Sequence, residues 1–318
     1  RGLGDVYKRQ TLALEKPLKI AFLGPDTTFT HQVAIKHFGH SCKFNPCSNI
    51  ESVFSEVEVG NSDYGVVPVE NSIEGVVNLT LDCFVDSPLY ICDEARMAIS
   101  LFLLANNIDV KKINTVYSHP QPLAQSRNWL NKNLPGAEQI PAASTAHAAE
   151  LVKQEKISAA IAGQLAAEVH GLKIVAKNIQ DRVENHTRYL VISKNQAKRA
   201  KKSKTSIMFS IADEAGSLLK TLQLFAKNNI SLTKIQSRPL RNRPWEYLFY
   251  VDFLGHIEDK AVERVLKTLG KQTLLFRVLG SYPEQGLKRA LRYSKRCPSL
   301  VLAYWVPLWQ KLVESITL

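Results

Sequence analysis

Short apolar runs, each followed by a turn rich in hydroxyls or amides and then by a segment of helical period, recur along the first part of the chain. The segment "PLKIAFLG" (17–24) predicts a buried strand running into a Gly-Pro turn. After "PDTTFT", the spacing of "HQVAIKHFG" predicts a helix closed by Gly39. "DYGVVPVE" (63–70) predicts a second strand ending in the polar turn "NSIEG". A third unit reads as strand "INTVYS", turn "HPQP" and helix "LAQSRNWLNKN". "AASTAHAAELVKQEK" predicts a helix with Ser144 or Thr145 at its N-cap. "SAAIAG" reads as a strand or buried turn, and "QLAAEVHG" as a helix ended by Gly171. Strand, polar turn and helix in repeated order imply α/β layers with mainly parallel strands.

The pattern then breaks. Residues 194–204, "KNQAKRAKKSK", carry six positive charges and no negative ones and have almost no apolar side chain, as an exposed linker would. Beyond them "SIMFSIA", "ISLTKIQSRPL", "WEYLFYVDFLG" and "LLFRVLGSY" predict strands, with "GSLLKTLQLFAKNN" and "DKAVERVLKTLGKQ" as the helices between them. The order βαββαβ is that of an α+β, ferredoxin-like unit. Hung on a charged tether, such a unit is expected to regulate or to pair. The opening "RGLGDVYKRQ" has neither period and resembles a cloning remnant, and the stretch after Pro283 mixes basic residues with Trp305 and Trp309 without a clear period. Both are set aside.

Composition narrows the classes. With 318 residues the chain is long for one core, and two domains are expected. A net charge of +12 would suggest a polyanion partner if it covered one face, but the linker and the two ends carry it and leave the body near neutral. No basic face is interleaved with aromatics, so nucleic acid is not expected as a partner. No apolar run is long enough to span a membrane, which is not expected either. The five cysteines are odd in number and form no CxxC pair, and no secretory segment is read at the start, so a reducing, cytoplasmic setting is expected.

Candidate chemistry lies in the polar turns after the strands: "GPDTTFTHQ" (24–32), "VENSIEG" (69–75), "SHPQP" (118–122), "ASTA" (143–146) and "NHTRY" (185–189). In open α/β sheets such turns surround the ligand. None is a Gly-rich phosphate loop, and no His, Cys or Asp cluster has metal spacing. The implied ligand is a small anion held by hydroxyls, N–H groups and an arginine. Each piece also has a plainer role. Thr28, Thr30 and Ser144 fit helix caps, His119 fits a turn before Pro120, Glu70 fits a strand end, and Arg188 can pair with Glu184 or Asp181.

The segments "FLGPDTTFTHQVA", "YGVVPVENSIEGVVNLTLD", "SHPQPLAQSRNWL", "STAHAAELV", "AAIAGQLAAEVHGL" and "NHTRYLVIS" together resemble the prephenate dehydratase family. "GSLLKTLQLFA", "LTKIQSRPL" and "WEYLFYVDFLGH" resemble that family's ACT domain. The likeness runs from about Pro17 to Pro283, and "TLALEKP" (11–17) looks like the exit from the chorismate mutase helix of bifunctional relatives. The resemblance implies a two-lobed, type II periplasmic-binding-like catalytic domain at 17–194, with lobes 17–96 plus 178–194 and 97–177. A basic linker at 195–204, an ACT domain at 205–283 and an atypical tail at 284–318 would follow.

It also implies an activity that needs no metal and no organic cofactor: loss of water and carbon dioxide from prephenate, giving phenylpyruvate for phenylalanine biosynthesis, in a cytoplasmic homodimer or tetramer joined through ACT domains. Arogenate dehydratase, or a non-catalytic amino-acid sensor, are the alternatives. By the family's Thr-Arg-Phe motif, Thr187 is expected to serve the leaving hydroxyl and Arg188 to support the anionic substrate, with Glu70, Asn71 and Ser72 on one wall. Thr28, Thr30, Ser118, His119, Gln121, Ser144, Thr145 and Asn185 are expected to bind substrate. Phenylalanine, as effector, is expected at Gly216, Ser217 and Leu218 and at Ser231, Gln236, Ser237, Arg238 and Pro239. Tyr189 stands where the family usually has Phe and Thr27 where Gly is common. Gln236, Ser231 and Ala215 depart from the usual Glu, Asn and Pro of the effector site.

Overall fold

The computed structural model describes residues 17–106, 109–182, 184–212, 214–239 and 247–284. The expectations for residues 1–16 and for the tail beyond 284 therefore lie outside the described residues.

Two sheets form the first domain. In one, β1 (Lys19–Leu23), β2 (Lys43–Cys47) and β3 (Tyr64–Asn71) run parallel, joined by α1 (Phe29–Phe38) and α2 (Ile50–Val59). Its strand order is β2-β1-β3-β11-β5, with the short β4 (Gly75–Val76) paired to β3. β5 is Tyr90–Ala98 and follows α3 (Asn78–Asp86); β11 (His186–Ser193) lies antiparallel between β3 and β5. The other sheet has order β10-β6-β9-β7-β8. It contains β6 (Phe102–Ala105), β7 (Thr115–Ser118), β8 (Glu138–Pro141), β9 (Ser158–Ala162) and β10 (Lys173–Lys177). Four helices belong to this lobe: α4 (Pro120–Gln125), α5 (Arg127–Asn133), α6 (Thr145–Lys153) and α7 (Gln164–His170).

The chain crosses between the sheets twice, after β5 and before β11, which gives the two-lobed arrangement. Strands are parallel within each wound unit, but β6, β10 and β11 pair antiparallel. The expectation of mainly parallel strands is corrected there: a strand that returns from the other lobe enters its sheet from the opposite end. The single helix read at 123–133 is two, parted at Ser126.

The second domain is β12 (Ser203–Ser210), α8 (Ser217–Lys227), β13 (Leu232–Pro239), β14 (Tyr247–Leu254), α9 (Lys260–Gln272) and β15 (Leu275–Pro283). Its sheet order is β13-β14-β12-β15, all antiparallel. β12 begins at Ser203, so the last two residues of the expected linker are strand, and Lys204 is buried.

Alternation along β1, β3, β5 and β11 sends side chains to two different cores. Ile20, Phe22, Val66 and Tyr189 join Leu103, Val116 and Ile161 in a cluster shared by the two lobes. Ala21, Val67, Leu190 and Ile192 join Met208, Leu248, Tyr250 and Tyr282 in a cluster shared with the second domain. Every residue of β12 is buried, because its sheet is covered by its own helices and by the first domain. The approach is closest at Gly280, where a β-carbon would lie 2.1 Å from the Ile91 carbonyl oxygen, so only glycine fits.

Candidate functional site

Thr187 and Arg188 are neighbours on β11 and therefore point to opposite faces of the sheet. The ladder repeats the division on β3, where Thr187 lies beside Asn71 and Arg188 beside Glu70. The hydroxyl and the guanidinium do not share a site.

On the face of Thr187 lies a neutral network. The Oδ1 atom of Asn71 accepts from the backbone N–H groups of Ile73 (2.9 Å) and Glu74 (3.1 Å). That fixes the amide, whose Nδ2 must donate to Asn185 Oδ1 and Thr187 Oγ1, both at 2.8 Å. Thr187 oxygen is thus an acceptor toward Asn71, and its own proton is left for another partner. Asn185 Nδ2 donates to Gln125 Oε1 (3.1 Å), and Gln125 Nε2 donates to Glu74 Oε1 (3.2 Å). Gln125 comes from the second lobe, Glu74 from the first and Asn185 from the segment between them, so the chain of amides spans the lobes. Beside it opens a cavity of about 420 Å³, lined by Ile73, Glu74, Gln121, Gln125, Asn128 and Asn185 among others. That is within the about 300–1,000 Å³ usual for small-molecule sites. The lobes meet closely at Gly163, where a β-carbon would sit 3.0 Å from the Phe29 ring.

Tyr189, two residues beyond Thr187, is buried in the inter-lobe cluster. Burial pushes its phenol above the ordinary range, an effect partly offset by the hydroxyls of Thr187 and Thr30. Thr30 itself is buried at the start of α1, and Thr27 just before it has the left-handed φ of 67°.

On the other face each nitrogen of the Arg188 guanidinium has a partner. Nε meets Glu94 at 2.7 Å, Nη1 meets Asp252 at 2.6 Å and Nη2 donates to the Tyr282 hydroxyl at 3.0 Å. Lys204 closes the group with a 2.7 Å contact to Glu94. Burial alone would push Glu94 and Asp252 upward, but Arg188 and Lys204 hold both carboxyls below their ordinary range. The expectation that Arg188 supports the substrate is corrected by this geometry, because strand alternation turns it toward the second domain. Glu70 is corrected for the same reason: its Oε2 lies 3.0 Å from Lys234 of β13.

The remaining expected residues divide. Ser118 is fully buried and donates to the Ile161 carbonyl at 2.7 Å, a bond within its own sheet, so it faces no cleft. Thr28 and Ser144 cap α1 and α6 by accepting from His31 N–H and His147 N–H, and His119 caps α4. Ser72 donates to the Glu184 carbonyl and accepts from His186 N–H, tying the end of β3 to the segment before β11. Thr145 is the buried first residue of α6, and Gln121 lines the cavity. Gln125 was not anticipated. Its signal was the helical spacing of four from Gln121, which places both amides on one side of α4.

In the second domain, Gly216 takes the left-handed φ of 86° before α8, whose first N–H groups receive no side-chain cap. Ser217 and Leu218 open that helix, and Ser231 precedes β13. Within β13, Gln236 donates to the Ser237 carbonyl, and Pro239 ends the strand. Arg238 grips Asp82 of α3, with Nη2 at 2.8 and 2.6 Å from its two oxygens. Arg238 thus faces the first domain.

Fold and site define a two-lobed α/β domain with a polar cavity beside the amide network that spans its lobes, carrying a ferredoxin-like module on the back of its first sheet. The sequence profile of the prephenate dehydratase family matches residues 20–197, and that of the ACT domain matches residues 205–271. The bifunctional chorismate mutase/prephenate dehydratase of Aquifex aeolicus (strain VF5) is 49% identical over 273 residues, which cover 86% of this chain and 75% of that protein. The prephenate dehydratase of Arthrobacter aurescens, solved in complex with L-Phe, superposes with a TM-score of 0.78 at 29% identity, over 94% of this chain and 99% of that one. That of Staphylococcus aureus subsp. aureus Mu50 does so with a TM-score of 0.74 at 29% identity, over 83% and 100%. The chain belongs to the prephenate dehydratase family and carries an ACT domain.

Proposed function

We infer that the protein converts prephenate to phenylpyruvate, with Thr187 as the group that helps the 4-hydroxyl leave, and that phenylalanine acting at the ACT domain controls it. In this reaction the bond to the ring carboxylate breaks and releases carbon dioxide. Its electron pair makes the ring aromatic, and the C4–O bond breaks as a proton reaches the departing oxygen. The protein has to hold a dianion and offer a hydrogen to that oxygen.

The observation that carries the reading is the fixed Asn71 amide. By making the Thr187 oxygen an acceptor, it directs the Thr187 proton away from Asn71, toward the Tyr189 hydroxyl or a substrate oxygen that takes its place. An alcohol is too weak an acid to protonate the oxygen by itself, so it acts as an oriented donor in a water-poor site. Gln121, Asn128 and Asn185 supply amides to the substrate, and Gln125 completes the network once the lobes meet. Thr28, Ser144, Thr145 and His119 shape the walls through their helix starts.

We place phenylalanine at Gly216–Leu218, where the uncapped start of α8 suits a carboxylate, and at Ser231, Gln236, Ser237 and Pro239, with Arg238 held by Asp82 instead. The Arthrobacter relative, solved in complex with L-Phe, supports phenylalanine as the effector. We place the protein in the cytoplasm as a homodimer or tetramer joined through ACT domains. Among the described residues no helix is long and apolar enough to cross a membrane.

The deciding experiment incubates the full chain with prephenate at neutral pH and follows phenylpyruvate absorbance, with arogenate in a parallel reaction. Turnover of prephenate is expected. Turnover of arogenate alone would move the assignment to arogenate dehydratase, and tight binding without turnover of either would replace it with an amino-acid sensor.

A further inference from the structure

We propose that Arg188 is a positioning residue for Thr187 which the ACT domain shares, so that the state of the effector module reaches the reacting hydroxyl through the Arg188–Asp252 contact. The inference rests on the reading of the chain as a phenylalanine-regulated prephenate dehydratase and names the route of that regulation.

Four charges meet behind β11, and each domain contributes one of either sign. Arg188 and Glu94 come from β11 and β5, and Lys204 and Asp252 from β12 and β14. Their exposures are 8%, 0%, 3% and 7%, so water stabilises none of them to any extent. They stabilise one another by crossing the boundary: Arg188 to Asp252 at 2.6 Å, and Lys204 to Glu94 at 2.7 Å.

The neutral groups around them are equally committed. Ser206 donates to Asp252 Oδ1, so the 2.7 Å contact between Tyr282 and Ser206 must use the Tyr282 proton. The Tyr282 oxygen is then free to accept from Arg188 Nη2. A buried group whose charges are all paired has few alternative geometries, and sliding one domain by about an ångström must break a charged hydrogen bond.

The route is short at both ends. In the β13–β14 ladder Lys234 is the partner of Asp252, and β13 also carries the Gln236–Pro239 segment assigned to the effector. At the other end Arg188 is one peptide from Thr187, whose place beside Asn71 depends on the register of β11 against β3. A displaced guanidinium therefore turns the strand at the reacting hydroxyl, and misplacements of about 1 Å are enough to cost large factors in rate. A residue that acts this way changes turnover, whereas one that only grips the substrate's anionic groups, equally in ground and transition state, changes its binding.

The test uses the full chain and three variants. Arg188→Lys keeps the charge and loses part of the fork; kcat should fall about tenfold while KM for prephenate stays within about twofold. Adding Asp252→Glu to that variant lengthens the carboxylate toward the shorter cation and should restore most of kcat. Asp252→Asn alone should bind phenylalanine about as wild type does by calorimetry. The inhibition reached at saturating phenylalanine should nevertheless weaken by about fivefold or more, within the usual range of coupling between sites. The phenylalanine-induced change in amide exchange across residues 187–189 should vanish in the same variant, a readout that needs no turnover. A rise in KM with kcat unchanged in Arg188→Lys would make the guanidinium a substrate ligand and overturn the proposal. So would an Asp252→Asn protein that responds to phenylalanine as wild type does. A wild-type protein that turns over prephenate but does not bind phenylalanine would overturn the regulatory reading and this route with it.

Discussion

The two faces of β11 differ in kind. On one, Thr187, Asn71, Asn185 and Gln125 form a chain of neutral hydroxyl and amides beside an open cavity. On the other, Arg188, Glu94, Asp252 and Lys204 form a buried knot of charge beside a cavity of only about 20 Å³, too small for a ligand larger than water. The neutral face can rearrange for an arriving dianion, because no hydrogen bond in it is charge-assisted except the last, to Glu74. The ionic face cannot, since a buried charge that loses its partner is left without solvation. A single strand thus separates the chemistry from its anchorage.

That contrast predicts opposite outcomes for adjacent residues. Arg188→Met should be the most damaging change. It leaves Glu94 and Asp252 facing each other with only Lys204 between them, a loss of about 3–5 kcal/mol by the usual cost of breaking a buried pair. Urea unfolding monitored by tryptophan fluorescence reads it directly. A loss below about 1 kcal/mol would mean that the knot is not the anchor described here. Thr187→Ala comes next and should behave in the reverse sense. Its unfolding midpoint should move little, while kcat for prephenate should fall about 10²–10³-fold with the donor gone. Near-normal turnover in that variant would move the chemistry elsewhere.

Acid sharpens the comparison further. The Glu94 and Asp252 carboxyls are held below their ordinary values near 4, so the unfolded chain takes up protons at a higher pH than the folded one. Their stabilisation is complete above about pH 5 and is lost as the pH falls through the depressed folded values. Urea midpoints should be flat from pH 7 to about 5 and drop below about pH 4. Asp252→Asn should make that drop shallower. A wild-type midpoint unchanged down to pH 3 would mean that these carboxylates carry no such linkage.

Much of this was readable from the chain, and the rest was hidden for identifiable reasons. The strands and helices of the ACT unit follow from clean periods, as do β1, β3, α1 and α6, because each buries one regular face. β5, "YICDEARMA", shows no such period because Asp93, Glu94 and Arg96 interrupt it, and Glu94 is buried only through cations from two other strands. Lys204 was read with the solvated basic run it ends, since its partner lies 110 positions away. The adjacency of Thr187 and Arg188 suggested a shared site, yet a strand period of two already forbids one. Ser118 shows a subtler limit: a serine at a strand end serves a ligand or a neighbouring carbonyl equally well, and only the position of Ile161 decides.

The smallest expected effect lies on the cleft side, at Thr27. Its φ of 67° is left-handed, a conformation that costs a β-branched residue about 1–2 kcal/mol, and its buried hydroxyl has no hydrogen-bond partner. The resemblance to the family already marked this position as one where glycine is common. Thr27→Gly removes both the strain and the orphaned hydroxyl, at the expense of a more flexible unfolded chain that takes back about 0.5–1 kcal/mol. A net gain near 1 kcal/mol is expected, seen as a higher urea midpoint with an unchanged slope. Such a gain would place stored strain on the reactive side of the molecule, where the neutral network tolerates it, in contrast to the fully satisfied ionic side. A destabilised Thr27→Gly protein would mean instead that the threonine methyl packs well enough to outweigh its backbone.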